Sequence, residues 1–202
     1  VESECLQTFS RFEVLFAVAC LAFARSSVEV AVMEAGIGGR FDTTRLCRSS
    51  LTAITSLDLE HTELLGDTLE LILSDKLELV ANYGTCIAAL PEDSLLRAHA
   101  LRFSEITDRK LVFLEDLWTK IDYQGGTHPE VSLRRSNGET ITLPLPVRGR
   151  WQSRNLALAI ALAERVLQRQ LSETEIQGGL TRTYVPGRFE LVMTEPAIYV
   201  DA

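Results

Sequence analysis

The chain has 202 residues, of which 46% are hydrophobic and 24% are charged, a composition that suits one globular domain with a substantial core. Its formal net charge is −8, which does not fit the basic surface of a typical nucleic-acid-binding protein. No apolar run reaches the length of a membrane span, and the apolar stretch Val14–Ala24 follows acidic residues, unlike a signal peptide. These features predict a cytoplasmic protein with no nucleic-acid or membrane partner.

Helix-like and strand-like patterns alternate along the first half of the chain. A helix is predicted over Phe9–Arg25, and a strand with alternating valines over Glu29–Glu34 runs into the glycine-rich segment Gly36–Arg40. The next predicted elements are a strand at Leu51–Leu57, a helix from the N-cap Asp67 to about Tyr83, a strand at Thr85–Leu90, a helix at Pro91–Phe103 and a strand at Leu111–Phe113. This alternation predicts an α/β domain built on a mostly parallel sheet flanked by helices, with ligands at the carboxyl ends of its strands.

The sequence pattern changes between residues 118 and 146. Short alternating runs separated by Gly125-Gly126 and Asn137-Gly138 predict a small antiparallel sub-sheet. The remaining predicted elements are the helices Gln152–Gln170 and Ser172–Leu180, the second with a capping box, and the strands Phe189–Met193 and Ala197–Val200.

Three side chains in the first half of the chain are candidates for metal or phosphate chemistry. Glu34 ends a predicted strand, where a carboxylate can hold Mg²⁺, although a solvated glutamate fits the position equally well. His61 follows a strand beside acidic residues, yet a single histidine is more often structural than a ligand. Lys76 falls on the apolar face of its helix, where burial should lower its pKa and allow the neutral amine to capture carbon dioxide as a carbamate. The alternative for Lys76 is a buried stem whose ammonium group reaches solvent.

Other positions offer anion or metal contacts. The Gly36–Arg40 segment lacks the spacing of a dinucleotide-binding loop, and its glycines form either an anion nest or a flexible connection. Arg188, in the turn Pro186-Gly187-Arg188, presents a guanidinium suited to phosphate. Asp201 closes the last strand, where it could accept a hydrogen bond from a ribose or bind a metal. The phosphate-binding pattern G-x-x-x-x-G-K-[ST] does not occur in the sequence.

The remaining histidines and the cysteines carry no site signal. His99 and His128 have polar neighbours and are predicted to lie at the surface. The cysteines at positions 5, 20, 47 and 86 are far apart without a Cys-x-x-Cys pair, which favours reduced thiols over a zinc site or a disulfide framework.

Four collinear stretches match known motif patterns. They are Glu34–Thr44 (E-x-G-x-G-G-R-x-D-x-T), Ile54–Thr68 (I-T-S-I-x-x-D-H-x-x-x-L-G-x-T), Gly149–Asn155 (G-x-H-Q-x-x-N) and Pro186–Glu190 (P-G-R-F-E). Together they resemble folylpolyglutamate synthase/dihydrofolate synthase, of the Mur ligase superfamily of ATP-dependent amide-bond ligases. The resemblance implies ATP and Mg²⁺ as cofactors. It also implies roles for six residues: metal ligands at Glu34 and His61, a carbamylated lysine at Lys76, and ATP contacts at Asn155, Arg188 and Asp201.

The resemblance further implies what the parent protein does. Such an enzyme phosphorylates the carboxylate of folate or dihydropteroate with ATP and joins L-glutamate through an acyl phosphate; the parent is expected to be a monomer. Residues 1–202 would then be an incomplete central domain, since the family's P-loop lies upstream and its C-terminal domain downstream, and the isolated chain is expected to be inactive. Two alternatives stay open: another Mur-type amide ligase, and a non-catalytic nucleotide-binding or scaffolding domain, which the departures after Lys76 and at Trp151 would fit.

Overall fold

The computed structural model of the protein describes residues 9–126 and 128–201. A 3₁₀ helix lies at Thr43–Cys47. The helices are α1 (Arg11–Ser26), α2 (Thr62–Leu65), α3 (Leu69–Leu77), α4 (Ser94–Thr107), α5 (Leu114–Leu117), α6 (Arg150–Leu167) and α7 (Glu173–Leu180). The strands are β1 (Leu51–Ile54), β2 (Thr85–Ala88), β3 (Lys110–Phe113), β4 (Trp118–Gln124), β5 (Glu130–Arg135), β6 (Thr140–Pro144), β7 (Glu190–Thr194) and β8 (Ala197–Val200).

The sheets confirm the predicted fold class. Strands β1, β2 and β3 form a parallel sheet in that order, and helices flank it. Strands β4, β5 and β6 form the separate antiparallel sheet predicted for residues 118–146, and β7 pairs with β8 as an antiparallel hairpin. The Asn137-Gly138 signal is also confirmed as the turn between β5 and β6, where Gly138 has a φ of 91°.

The described residues divide into two compact units. One contains residues 9–52, 58–85 and 95–110, and its core includes Ile72 and Leu73 of α3 and Leu96 of α4, each at most 1% exposed. The other contains residues 53–57, 86–94, 111–126 and 128–201. Its core includes Trp118, whose indole N–H donates to the carbonyl oxygen of Ala157 on α6 at 3.1 Å. Within the part of the chain that the structure describes, no helix has the length and hydropathy needed to cross a membrane.

The predicted strand at Glu29–Glu34 is wrong. These residues form irregular backbone after α1, and the side chains of Val28, Val30 and Val32 are 43%, 56% and 89% exposed. A strand is stabilised by hydrogen bonds to a neighbouring strand, and none of the described strands pairs with this segment. The alternating valine side chains therefore do not belong to a described sheet.

The helix predicted from Asp67 to about Tyr83 is shorter in the structure. Its N-cap is Thr68 and not Asp67, because the Thr68 hydroxyl accepts a hydrogen bond from the backbone N–H of Leu71 at 3.3 Å. The helix ends at Leu77, where the backbone passes into i→i+3 hydrogen bonds. Tyr83 lies beyond it with a left-handed φ of 63°.

The capping box predicted at the start of α7 is confirmed. The Ser172 hydroxyl accepts from the backbone N–H of Glu175 at 3.3 Å, and the Glu175 carboxylate accepts from the backbone N–H of Ser172 at 2.9 Å. Arg169 adds a charge-assisted hydrogen bond to Glu175 at 2.7 Å. The bond from Arg169, followed by those from Ser172, lowers the pKa of Glu175 to about 2.

Replacing Arg169 with alanine should therefore raise the pKa of Glu175 from about 2 toward its usual value of 4.5. Because the folded-state pKa is the lower one, the stabilisation by ionised Glu175 is present above pH 4.5 and is lost as the pH falls through about 2. Titration of the Glu175 carboxyl carbon by NMR measures this midpoint. Arg165→Ala, at an exposed arginine in the last turn of α6, is the control. An unchanged midpoint in Arg169→Ala would contradict the assigned cause.

Candidate functional site

The glycine-rich segment after Glu34 is held at one end by Asp42, a residue that the sequence analysis did not single out. The Asp42 side chain accepts hydrogen bonds from the backbone N–H groups of Gly36 at 2.8 Å and Ile37 at 3.1 Å. Its other oxygen accepts from the backbone N–H of Thr44 at 2.8 Å, so Asp42 also caps the 3₁₀ helix. An aspartate just before a helical turn is a readable N-cap signal, and it could have identified this residue.

Asp75 of α3 holds the other end of the segment. One of its carboxylate oxygens accepts from the backbone N–H of Gly39 at 2.7 Å and from that of Arg40 at 3.4 Å. The first contact joins residues 36 positions apart, so no local pattern reveals it. Because Asp42 and Asp75 occupy these amides, the Gly36–Arg40 segment is neither an open anion nest nor a flexible connection.

The same segment packs closely on α3. A Cβ at Gly39 would lie 2.4 Å from the carbonyl oxygen of Asp75 and 2.9 Å from the Cα of Lys76. Gly38 has a φ of 67°, and a Cβ there would lie 2.3 Å from the Asp75 carboxylate. Glycine is therefore required at both positions, by close approach and by backbone conformation.

Glu34 and His61, the two predicted metal ligands, are accessible to solvent. Glu34 is exposed and lies on irregular backbone before the glycine-rich segment, and not at the end of a strand. His61 precedes α2 with a left-handed φ of 50°, and its side chain is 45% exposed. The His61 Nδ1 lies 3.9 Å from Oε1 of Glu63.

Lys76 is ion-paired. Its Nζ lies 2.8 Å from Oε1 of Glu60, and its side chain is 19% exposed. This geometry favours the alternative interpretation, a buried stem with a paired ammonium group, over an isolated neutral amine. Because Glu60 directly precedes His61, the ion pair brings Lys76 to the segment that carries the histidine.

The side chains predicted to bind a metal do not form a preassembled cage. The described residues contain no group of three or more His, Cys, Asp or Glu side chains arranged to hold a metal ion. Mg²⁺ in nucleotide enzymes usually takes one or two carboxylates and completes its shell with water and phosphate oxygens. Glu34 and Glu60 are exposed carboxylates of that kind. Metal ligation by Glu34 and His61 stays a prediction.

Neither the pair of Ser74 and His99 nor Cys86 is assigned as a catalytic nucleophile. The prediction that His99 lies at the surface is wrong, since it is half-buried with its Nε2 2.7 Å from the hydroxyl oxygen of Ser74. The Ser74 hydroxyl also has the carbonyl oxygen of Glu70 as an acceptor at 2.8 Å, and this contact competes with donation to His99. Burial raises the pKa of Cys86 to about 12, which keeps it a thiol.

The second unit contains a cleft of about 260 Å³ lined by two arginines and several aromatic rings. Arg148 and Arg188 both line it, together with Tyr184, Phe189 and Tyr199. The rings of Phe189 and Tyr199 stack with centroids 4.8 Å apart, and the Arg148 guanidinium lies 6.0 Å from the Tyr199 centroid. Guanidinium groups suit phosphate and aromatic rings suit a flat base, so the cleft has the chemistry of a nucleotide site.

Glu190 fixes the turn that carries Arg188. Its carboxylate accepts from the Tyr184 hydroxyl at 2.6 Å and from the backbone N–H of Gly187 at 2.8 Å. These hydrogen bonds, the one from Tyr184 first, lower the pKa of Glu190. The same bond to Glu190 raises the pKa of the Tyr184 hydroxyl. The Glu190 carboxylate therefore holds the turn that contains Arg188, a residue that lines the cleft.

The structure connects two of the three residues expected to meet ATP. The Asp201 carboxylate accepts from the backbone N–H of Phe189 at 3.2 Å, so it joins the turn of Arg188. Asn155 is exposed on α6, where its side-chain amide donates to Gln152 at 3.1 Å, and it does not line the cleft. Arg148 and Tyr199, which line the cleft, were missed from the sequence because a single arginine and a strand tyrosine carry no motif.

The fold and these motif residues place the chain in a known class. The model of the Mur ligase middle domain matches residues 10–163, which is most of the chain and includes Glu34, His61, Lys76 and Asn155. The chain therefore belongs to the Mur ligase middle-domain family.

Its relatives within that class are folate ligases. The chain is 33% identical over 195 residues to the probable bifunctional folylpolyglutamate synthase/dihydropteroate synthase of Halobacterium salinarum, covering 94% of this chain and 23% of the relative. It is 30% identical over 203 residues to the dihydrofolate synthase/folylpolyglutamate synthase of Bacillus subtilis, covering 95% and 46%. A structure of Mycobacterium tuberculosis folylpolyglutamate synthase complexed with ADP and AMPPCP matches with a TM-score of 0.84 at 27% identity, covering 96% and 45%. The chain thus spans less than half the length of each.

Proposed function

We propose that this chain is the nucleotide-handling part of an ATP-dependent ligase that joins L-glutamate to folate or dihydropteroate. The cleft lined by Arg148, Arg188 and aromatic rings carries the proposal, because it offers planar cations for phosphate and flat surfaces for a base. The similarity to folylpolyglutamate and dihydrofolate synthases, one of them complexed with ADP and AMPPCP, supports the nucleotide and the substrate class. A cytoplasmic location and a monomeric parent stay predictions.

The proposed reaction has two steps. A carboxylate oxygen of the folate-type substrate attacks the γ-phosphorus of ATP, which forms an acyl phosphate and releases ADP. The amine of glutamate then attacks the acyl carbon, the bond from that carbon to the phosphate oxygen breaks, and the amine gives up a proton as the amide forms. One ATP is converted to ADP and phosphate for each amide bond.

The residues of this chain take binding roles in that scheme. Arg188 and Arg148 bind nucleotide phosphates, and Asp201 and Asn155 contact the rest of the nucleotide. Glu34 and His61 would hold Mg²⁺, which would supply positive charge for the phosphoryl transfer.

Lys76 has a separate role in the proposal. As an ammonium group paired with Glu60, it places a positive charge at the segment that carries His61. After carbamylation it would instead supply an anionic oxygen ligand, and the pair with Glu60 would break because both groups would then be negative.

Arg188→Ala should weaken the binding of ADP by about tenfold, which corresponds to about 1.4 kcal/mol. The expected cause is the loss of a charge-assisted, bidentate contact to phosphate. The affinity of Arg188→Lys for ADP should lie between those of the wild type and Arg188→Ala, because lysine keeps only the charge. Isothermal titration calorimetry of the chain with ADP measures both.

Arg182→Ala is the matched control. Arg182 is an exposed residue close in sequence to the residues that line the cleft, but it does not line the cleft itself. Its guanidinium donates to the carbonyl oxygen of Gly178 at 3.0 Å. Equal affinities of wild type and Arg188→Ala would refute the assignment of the cleft. A full-length parent protein that binds no ADP would favour the scaffolding alternative.

A further inference from the structure

We propose that Asp75 is a positioning residue for the proposed site: it clamps the Gly36–Arg40 segment onto α3 and so sets that segment against Lys76. The inference deepens the proposed function and rests on it for its catalytic meaning. Asp75 is half-buried and precedes Lys76 in α3. Its carboxylate accepts from two successive backbone N–H groups, those of Gly39 and Arg40.

The clamp links two predicted parts of the site, the segment after Glu34 and the helix with Lys76, across 36 positions of sequence. The segment it holds begins directly after Glu34, and the helix that bears it continues with Lys76. Gly39 lies so close to α3 that an added Cβ would be 2.9 Å from the Cα of Lys76. One carboxylate therefore couples the position of the segment after Glu34 to the turn that presents the lysine.

The side chains of Asp75 and Lys76 contact different groups. Among the described residues, the Asp75 carboxylate accepts hydrogen bonds from backbone N–H groups of the segment, while the Lys76 ammonium pairs with Glu60. The ion pair of Lys76 can therefore break, for a ligand or a modification, while the clamp stays closed. Hydrogen bonds to an ionised acceptor are stronger than neutral ones, which suits a contact that must persist.

Three variants test this proposal. Asp75→Ala removes both hydrogen bonds, and Asp75→Asn keeps an uncharged acceptor oxygen. Asp67→Ala removes an exposed carboxylate just before α3 and serves as the control. Hydrogen exchange of the Gly39 amide, followed by NMR on the ¹⁵N-labelled chain, reports on the clamp itself.

Labelling of lysines reports on the position of Lys76. The chain has three lysines, and Lys120, with a side chain 66% exposed, is the internal reference for the partly buried Lys76. Mild acetylation read by mass spectrometry gives the rate at Lys76 relative to Lys120. Because Lys120 is exposed in the folded protein, its rate only calibrates the reagent, and a general loss of stability is recognised by faster hydrogen exchange at backbone amides of α6 as well as at Gly39. Release of the clamp speeds exchange at Gly39 and raises labelling of Lys76 without that change in α6.

We expect Asp75→Ala to speed exchange of the Gly39 amide about tenfold and to raise the relative labelling of Lys76 several-fold. Asp75→Asn should restore much of both effects, and Asp67→Ala should change neither. Unchanged exchange at Gly39, or an equal increase in exchange at the backbone amides of α6, would overturn the proposal. Neither readout depends on nucleotide binding, so failure of the proposed function would be seen separately, in the calorimetry of Arg188→Ala.

Discussion

Replacing Gly39 with alanine should lower the free energy of unfolding by about 2–3 kcal/mol. The added Cβ would meet the carbonyl oxygen of Asp75 at 2.4 Å and the Cα of Lys76 at 2.9 Å. Both are backbone atoms of α3, which cannot turn aside as the end of a flexible side chain can. The glycine-rich segment must therefore shift, and its hydrogen bonds to Asp75 weaken with it.

Urea unfolding followed by circular dichroism measures this effect as a lower midpoint at similar slope. Gly178→Ala is the matched control, because Gly178 lies in α7 and a Cβ there would meet no atom within 4 Å. That change should stabilise the protein by about 0.5–1 kcal/mol, since alanine is the better helix former. If the two alanine variants changed stability in the same direction, the close packing of Gly39 on α3 would be wrong.

The largest side-chain effect is expected in the second unit, where Glu164→Ala should destabilise the protein by about 3 kcal/mol. Arg135 on β5 forms two hydrogen bonds to the Glu164 carboxylate on α6, at 2.6 Å and 2.9 Å. Their side chains are 7% and 14% exposed, and the guanidinium also lies 4.7 Å from the ring centroid of Trp118. Removal of the carboxylate leaves a buried cation, for which Glu139, at 3.4 Å and 52% exposed, and the carbonyl oxygen of Leu171, at 3.5 Å, compensate only in part.

Two comparisons make this prediction specific. Asp122→Asn removes one partner of the exposed pair with Lys120 and should change stability by less than about 0.5 kcal/mol. The double variant Arg135→Met/Glu164→Leu removes both charges and should recover most of the loss, because apolar groups of similar volume replace the pair. Thermal unfolding of all three variants gives the result. A double variant no more stable than Glu164→Ala would show that packing, and not the uncompensated charge, accounts for the loss.

Elements that depend on neighbouring residues could be predicted from the sequence. The capping box of Ser172 and Glu175 and the Asn137-Gly138 turn are complete within four residues, and both are confirmed. The antiparallel sub-sheet follows from the same short-range turn signals and alternation. The family could be predicted because four motifs occur in order, so that chance agreement at one of them matters little.

Elements that depend on a partner distant in sequence could not be predicted from the sequence. The valines at 28, 30 and 32 alternate like a strand, yet a strand also needs a neighbour to receive its hydrogen bonds, and none of the described strands provides one. Lys76 lies on an apolar helix face, yet its ammonium group reaches Glu60 in another segment. Periodicity shows which face of an element is apolar, but not which charged group lies beside it.

The chemistry of the candidate site divides in the same way. By itself, the sequence determined the residue types: a carboxylate at 34, an imidazole at 61, an amine at 76 and a guanidinium at 188, in motifs that indicate a ligase domain. Only the tertiary structure decided how they are held, with Asp75 clamping the Gly36–Arg40 segment across 36 positions and Arg148 and Tyr199 lining the cleft with Arg188. The physical reason is that side-chain type is a local property, whereas a hydrogen bond or a cleft requires two segments to meet, and the fold alone brings them together.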